Sequence, residues 1–373
     1  MHVPSDFSYF DAMCDDNFYY GNSFNVNGTM QTVGADVYLT NVIGNHSLAW
    51  LADAAAASTA GDAPFFAYIA PHAPHVPATP AHEYENAPLP DGDTAPRTPN
   101  WNYGTQHHHW LVSEKAPMSP KLITFSDELF ARRLRATMSV DDVVAAVFSL
   151  LRTTGTLEDT FVIYSSDHGY DLGTFRLPSG KFNAYENDIR VPFHVAGGRV
   201  PAGVQLSDVL VNNVDLAPTL LELAGVAPTT PLDGRSFASQ LSASRRAAEA
   251  WTRDRLLFEY WGMGYTLRGP CHNGTTPCPG GVEALEDAPS NSWSGLRIVN
   301  ASMDVVYAEY RPSAKTPLER GNTNFTVAFD MRADPWQLVN LGNASRGGLP
   351  ASTLAALSDE LWAIATCAEG ACP

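Results

Sequence analysis

"DTFVIYSSDHGYDLG" (residues 159–173) runs an unbroken apolar, β-branched stretch straight into an Asp-His-Gly turn. A continuous rather than alternating apolar run is the pattern of a strand covered on both faces, as in a parallel sheet. The expectation is a strand over 159–167 whose carboxyl end presents Asp167 and His168, the end at which open α/β sheets collect ligands. Working outward, "ELFARRLRATMSVDDVVAAVFSLLRTTG" (128–155) repeats apolar residues at helical spacing and stops in glycine, which predicts one or two helices. "VPFHVAG" (191–197) is a second strand, and "VNNVDLAPTLLELAGV" (211–226) holds a helix beginning near Asp215. Upstream, an Ala- and Leu-rich helix over 47–57 precedes "PFFAYIAP" (64–71), read as a short buried strand. Strands alternating with helices predict a mostly parallel sheet with helices on both faces.

The pattern changes after about residue 250. "LLFEYW", "GLRIVN", "MDVVYAEY" and "FTVAFDM" are short strands separated by loops, and a helix over 351–366 follows. These predict a small C-terminal antiparallel sheet packed with a helix, so the division expected is 1–245 and 246–373, with 229–254 as the linking stretch. The irregular stretches 75–120 and 262–292 are long for a compact domain and are expected to border a site.

The 373 residues are 45% hydrophobic, enough for one large core and a smaller one. A net charge of −17 argues against a nucleic-acid partner, because phosphate backbones are bound by a surplus of Lys and Arg. No apolar run reaches the roughly 20 residues a membrane-spanning helix needs. Six Asn-x-Ser/Thr sequons, at Asn27, Asn45, Asn273, Asn300, Asn324 and Asn343, point to glycosylation in the secretory pathway. Five cysteines agree: Cys271 with Cys278 and Cys367 with Cys372 are local pairs able to close small loops, which leaves Cys14. The N-terminus has no signal-peptide pattern, although the sequons and cysteines call for an extracellular or lysosome-like location.

An adjacent carboxylate and imidazole, Asp167 and His168, suit one divalent cation. For the pair by itself, a strand-to-loop turn capped by the aspartate is the plainer account. Lys181 follows the "RLPSG" loop, which can fold back over the same sheet edge, and a lysine point charge suits a tetrahedral oxyanion. His72 and His75 follow the 64–71 stretch, where an imidazole can donate to an anion or protonate a leaving alkoxide.

"APHAPHVP", "MSVDDVV", "GTLEDTFVIYSSDHGYDLG", "GK" with "YENDIRVP", "NNVDLAPTLLELAG" and "DPWQLVNL" occur in that order, and the chain resembles the sulfatase family nearly end to end. "GTQHHHWLV", "RLPSGK" and the tail "CAEGACP" make it most similar to the N-acetylglucosamine-6-sulfatases and their extracellular heparan-sulfatase relatives. The resemblance implies an alkaline-phosphatase-like α/β fold and hydrolysis of a sulfate ester, with the 6-O-sulfate of N-acetylglucosamine in a glycosaminoglycan as the expected target. It implies Ca²⁺ at Asp167 and His168, sulfate contacts from Lys181 and from His72 of the His-x-Pro pattern, and a further substrate contact from His109. Glu186 and Arg190 become a supporting pair behind them.

Three departures accompany the match. The Cys/Ser-x-Pro-x-Arg motif that yields the family's formylglycine nucleophile, through a formylglycine-generating enzyme, is absent, and so is its first Asp-Asp metal pair. Asp15 and Asp16 do not follow an apolar strand and are not carried over. Asp171 stands where close relatives carry histidine, which would set a carboxylate near an anionic substrate. The chain is therefore expected to be the carboxyl-terminal two thirds of a sulfatase, inactive as given, with an incomplete metal site. The alternatives are a phosphoesterase or phosphonate hydrolase of the same superfamily and a non-catalytic glycan-binding protein.

Overall fold

The computed structural model describes residues 2–14, 19–207, 209–262, 287, 289–316 and 321–367. In chain order the elements are β1 (Asp11–Met13), β2 (Ser23–Val26), β3 (Thr29–Thr32), α1 (Leu39–Ala60), α2 (Trp110–Ser113), α3 (Pro120–Thr153), β4 (Phe161–Ser165), α4 (Glu186–Ile189), β5 (Phe193–Gly197), α5 (Leu216–Leu223), α6 (Ala243–Ala248), β6 (Arg255–Tyr260), β7 (Ser292–Val299), β8 (Asp304–Arg311), β9 (Phe325–Asp330) and α7 (Ala351–Ala365). They divide into two compact units, one of residues 1–95 and 124–161, the other of residues 96–123 and 162–373.

In the first unit β1, β2 and β3 form an antiparallel meander. Asn27 and Gly28 both take positive φ (50° and 88°), the two-residue hairpin turn that an Asn-Gly pair adopts at low cost. Phe24 of β2 packs with Leu39 and Val42 of α1. Helix α1 is longer than the 47–57 expected and ends at Gly61 in the left-handed conformation. There the Asp62 and Gly61 amides donate back to the Ala57 and Ser58 carbonyls. Gly44 lets α3 approach, since a Cβ there would stand 2.7 Å from Val143. The 128–155 pattern resolves into the single 34-residue helix α3.

One strand expectation is overturned. Residues 64–71 enter none of the sheets, and Phe66 and Tyr68 are 60% and 82% exposed. A strand exists only through ladder bonds to a neighbour, and no described strand lies beside this stretch, so its apolar composition does not settle its state.

In the second unit β4 and β5 form a two-stranded sheet joined by no other described strand, and both are only half-buried. The 211–226 stretch begins with a capping box at Asn212 and Asp215, then continues as α5. Strands β6, β7, β8 and β9 form an antiparallel meander as expected. Alternation along β8 gives the sheet two buried faces. Val305 and Tyr307 meet Leu357 and Leu361 of α7. Val306, Ala308 and Tyr310 meet Val112, Phe175, Leu177, Ala184 and Tyr185. No described helix is long and apolar enough to cross a membrane. Cys14 is free, and Cys367 is disulfide-bonded to a partner outside the described residues, where Cys271, Cys278, Cys372, Asn273, Asp15 and Asp16 also lie.

His108 and His109 of the "HHH" run pack against this sheet, while His107 is exposed. His108 packs against Phe175, Tyr185 and Phe329, and its Nδ1 lies 3.0 Å from the Tyr185 hydroxyl. His109 stacks flat on Tyr310 at 4.0 Å and is 3% exposed. The ring expected to touch substrate is thus sealed in the core, because the sheet's apolar face recruits it as an aromatic surface. Burial pushes His109 down to about 3 and His108 to about 4. An unfolded imidazole titrates near 6.5, so each neutral buried ring costs stability as pH falls below that value, by about 1.4 kcal/mol per pH unit per ring. His109→Phe should therefore gain stability over the parent progressively from about pH 6.5 to 4.5. Melting temperatures across that range check this, and a pH-independent difference would contradict it.

Candidate active site

The loop 72–80 of the first unit holds three prolines, which supply no amide donors but leave every carbonyl to be satisfied. Three tyrosines and an arginine satisfy four of them. Tyr19, Tyr38 and Tyr20 donate to the His75, Thr79 and Pro80 carbonyls at 2.5, 2.8 and 3.1 Å, and Arg133 of α3 donates to that of Pro74 at 2.9 Å. The loop is rigidly tied as a result. Its His72 ring lies edge-on to Tyr19 and 4.8 Å from the ring of the exposed His75.

In the second unit, β4 ends at Ser165 and delivers Asp167 and His168 directly after it, at its carboxyl end. His168 Nδ1 lies 2.8 Å from the Gly169 carbonyl, which can only accept, so Nδ1 carries the proton and Nε2 is an acceptor. That Nε2 accepts from the Lys181 ammonium at 2.7 Å, and Asp167 Oδ2 lies 3.0 Å from it. The structure therefore brings Asp167, His168 and Lys181 together. Two acceptors converging on one point create a cation's place. As a donor pair for a divalent ion the carboxylate and imidazole fit, but they supply two of the six to eight ligands that Ca²⁺ takes. No group of three or more His, Cys, Asp or Glu side chains suited to a metal occurs among the described residues. A cation at this pair and the Lys181 ammonium draw on the same Nε2 lone pair.

Behind the cluster, helix α4 is anchored by the C-terminal sheet. Glu186 accepts from Arg297 of β7 at 2.7 Å, Arg297 reaches Asp304 of β8 at 2.6 Å, and the Glu186 amide donates to Gln337 at 2.8 Å. Arg190, expected as the partner of Glu186, is exposed and 3.7 Å from it, a distance and setting at which an ion pair contributes little. Sequence reasoning missed Arg297 and Gln337. A charged residue inside "GLRIVN" was the available signal, since an arginine in an apolar strand calls for a buried partner.

Asp171 does not face the cluster from the surface. It is fully buried and held by the side chains of Asn187 and Asn183. The turn that buries it depends on Gly169, where a Cβ would stand 1.9 Å from the Asn187 carbonyl. Because that clash is with backbone, Gly169→Ala should cost roughly 2 kcal/mol or more, as steric overpacking does. Chemical denaturation measures it, and an unchanged midpoint would show that the close approach is not required.

The chain matches the sulfatase family model over residues 5–226 and a model described as "N-sulphoglucosamine sulphohydrolase, C-terminal" over residues 179–274. It is 32% identical to the N-acetylglucosamine-6-sulfatase of Bos taurus over 354 residues, which cover 92% of this chain and 59% of that protein. It is 34% identical to a putative extracellular sulfatase Sulf-1 homolog of Caenorhabditis elegans over 268 residues, 69% of this chain and 37% of that one. The chain thus spans about six tenths, or less, of the length of these relatives. Among solved structures, a protein in complex with its substrate D-glucosamine-2-N,6-O-disulfate shares the fold at a TM-score of 0.67 and 18% identity, covering 97% of this chain and 76% of that one. A phosphonate monoester hydrolase from Silicibacter pomeroyi reaches 0.58 at 20% identity, covering 84% and 58%. With the model match extending over more than half of its length, the chain belongs to the sulfatase family.

Proposed function

We propose that the protein to which this chain belongs hydrolyses a sulfate ester of a sulfated sugar, the 6-O-sulfate of N-acetylglucosamine in a glycosaminoglycan. One observation carries this reading: Asp167, His168 and the Lys181 ammonium converge at the carboxyl end of β4. A sulfate monoester develops negative charge on the departing oxygen and retains it on the sulfate oxygens, so its hydrolysis needs fixed positive charge there. Lys181 supplies that charge as a point donor, its ammonium standing beside His168. Asp167 and His168 are the residues that would hold Ca²⁺, which when bound adds Lewis-acid stabilisation of the same charge. His72 is the proposed donor to the leaving oxygen, an assignment that rests on the His-x-Pro pattern. Glu186, fixed by Arg297, supports the loop from behind.

The nucleophile in this reading is a formylglycine made by a formylglycine-generating enzyme, and no motif for it occurs in these 373 residues. The chain by itself is accordingly proposed to be inactive, and the location of the protein to be the secretory pathway, lysosome-like or extracellular. Relatives named for N-acetylglucosamine-6-sulfatase and extracellular sulfatase support the substrate and the location.

In the whole protein, Lys181→Ala should lower turnover of a 6-O-sulfated N-acetylglucosamine substrate by roughly a hundredfold or more, as loss of one preorganised charge-stabilising donor does. Steady-state kinetics with sulfate release as the readout test this. Turnover at the parent rate by a folded variant, or a parent that cleaves phosphonate esters in preference to sulfate esters, would overturn the reading.

A further inference from the structure

Asp171 and Asp188 are two carboxyl groups buried side by side, with no lysine or arginine bonded to either among the described residues. Buried acids without a cation are costly unless neutral donors surround them. Here two asparagines do so. Asn187 Nδ2 bridges the pair, donating to Asp171 Oδ1 at 2.5 Å and to Asp188 Oδ1 at 2.9 Å. Asn183 donates from its side chain to Asp171 Oδ2 at 3.2 Å and from its backbone amide to Asp188 Oδ2 at 2.7 Å.

Main-chain bonds complete the network. The Gly169 amide donates to the Asp188 carbonyl at 2.8 Å, that of Tyr170 to Asn187 at 2.9 Å, and that of Asp171 to Gly180 at 2.7 Å. Three segments are thereby tied at one point: 169–171, which follows His168 directly; 180–183, which contains Lys181; and 187–188, the turn of α4 after Glu186. None of the three is long enough to hold its own shape. Their mutual spacing is set by these main-chain bonds together with the side-chain bonds to Asp171 and Asp188.

We propose that Asp171 is a positioning residue for the anion site: its carboxyl, gripped by Asn187 and Asn183, sets the spacing between His168 and Lys181. The position therefore acts through the loop and never meets substrate, so a carboxylate here is compatible with an anionic ligand. Burial, and after it the charge of Asp188, holds Asp171 well above the ordinary carboxyl range, and burial raises Asp188 to about 7. A group held neutral by its surroundings does not repel a sulfate.

The proposal rests on the reading of Lys181 as the sulfate-binding group, and its test separates the two. In the whole protein, Asp171→Ala removes both acceptors and Asp171→Asn keeps the shape and one acceptor. Arg253→Met breaks the ion pair with Asp215, outside this network, and controls for stability. Asp171→Ala should raise amide hydrogen exchange in 166–172 and 180–184 at least tenfold. It should change the rate of Lys181 acetylation, mapped by mass spectrometry, at least threefold, and lower kcat tenfold or more with KM within threefold. Asp171→Asn, which also serves if the alanine variant does not fold, should recover part of each effect, and Arg253→Met should show none of them. Unchanged exchange and Lys181 reactivity, or loosened exchange with parental kcat, would overturn the positioning role. A parent that cleaves no sulfate ester would overturn the function proposed above, while exchange and Lys181 reactivity would still decide the role of Asp171.

Discussion

The Phe182 carbonyl accepts from Trp293 Nε1 at 3.1 Å and from Asn291 Nδ2 at 3.0 Å, and through these two bonds the C-terminal sheet holds the loop that carries Lys181. The segment from 171 to 185 has almost no regular secondary structure, so its polar backbone groups must be satisfied from outside. The sheet satisfies them on one side while Phe175, Leu177, Ala184 and Tyr185 bury their apolar surface against Val306, Ala308 and Phe329. Polar anchoring fixes the direction of the loop and apolar burial supplies the energy, about 1.5–3 kcal/mol for each large side chain. The small sheet is thus a support for the candidate site in its own unit.

The same division of labour occurs twice more. The proline-rich loop around His72 has more carbonyls than amide donors, and Tyr19, Tyr20, Tyr38 and Arg133 donate to four of them. Helix α4, a single turn, is held by Gln337 at its first amide and by Arg297 at Glu186. In each case a chemically interesting residue sits on an irregular segment, and a rigid element supplies the hydrogen bonds that the segment lacks. Loops are where function concentrates because they are free to take such shapes, provided that something else satisfies their backbone.

Charge is managed locally. The chain carries −17 overall, yet two acids bonded into the Lys181 loop, Asp171 and Asp188, are buried among asparagines and pushed toward their neutral form. Arg190 stays exposed at the same loop. At short range the field that an anion at this loop would meet is set by the few local groups rather than by the net charge, which salt screens beyond about 8–10 Å.

What the sequence determined by itself was periodicity and order: the helices α1 and α3, the strands β4 and β5, the four-stranded antiparallel meander with its helix, and the placement of Asp167 and His168 directly after a strand. These follow from spacing along the chain, which the chain contains in full. What only the tertiary structure decided was partnership. The apolar run 64–71 did not become a strand, because a strand is a relation between two segments. His109 went into the core, because β8 and β9 offered it aromatic faces. Glu186 chose Arg297, more than a hundred residues away, over Arg190 four residues away, because a half-buried guanidinium gains more from a carboxylate than an exposed one, which has water. Asp171, an anomaly in one dimension, became a bonded centre in three, because Asn183 and Asn187 reach it only once the loop has folded back.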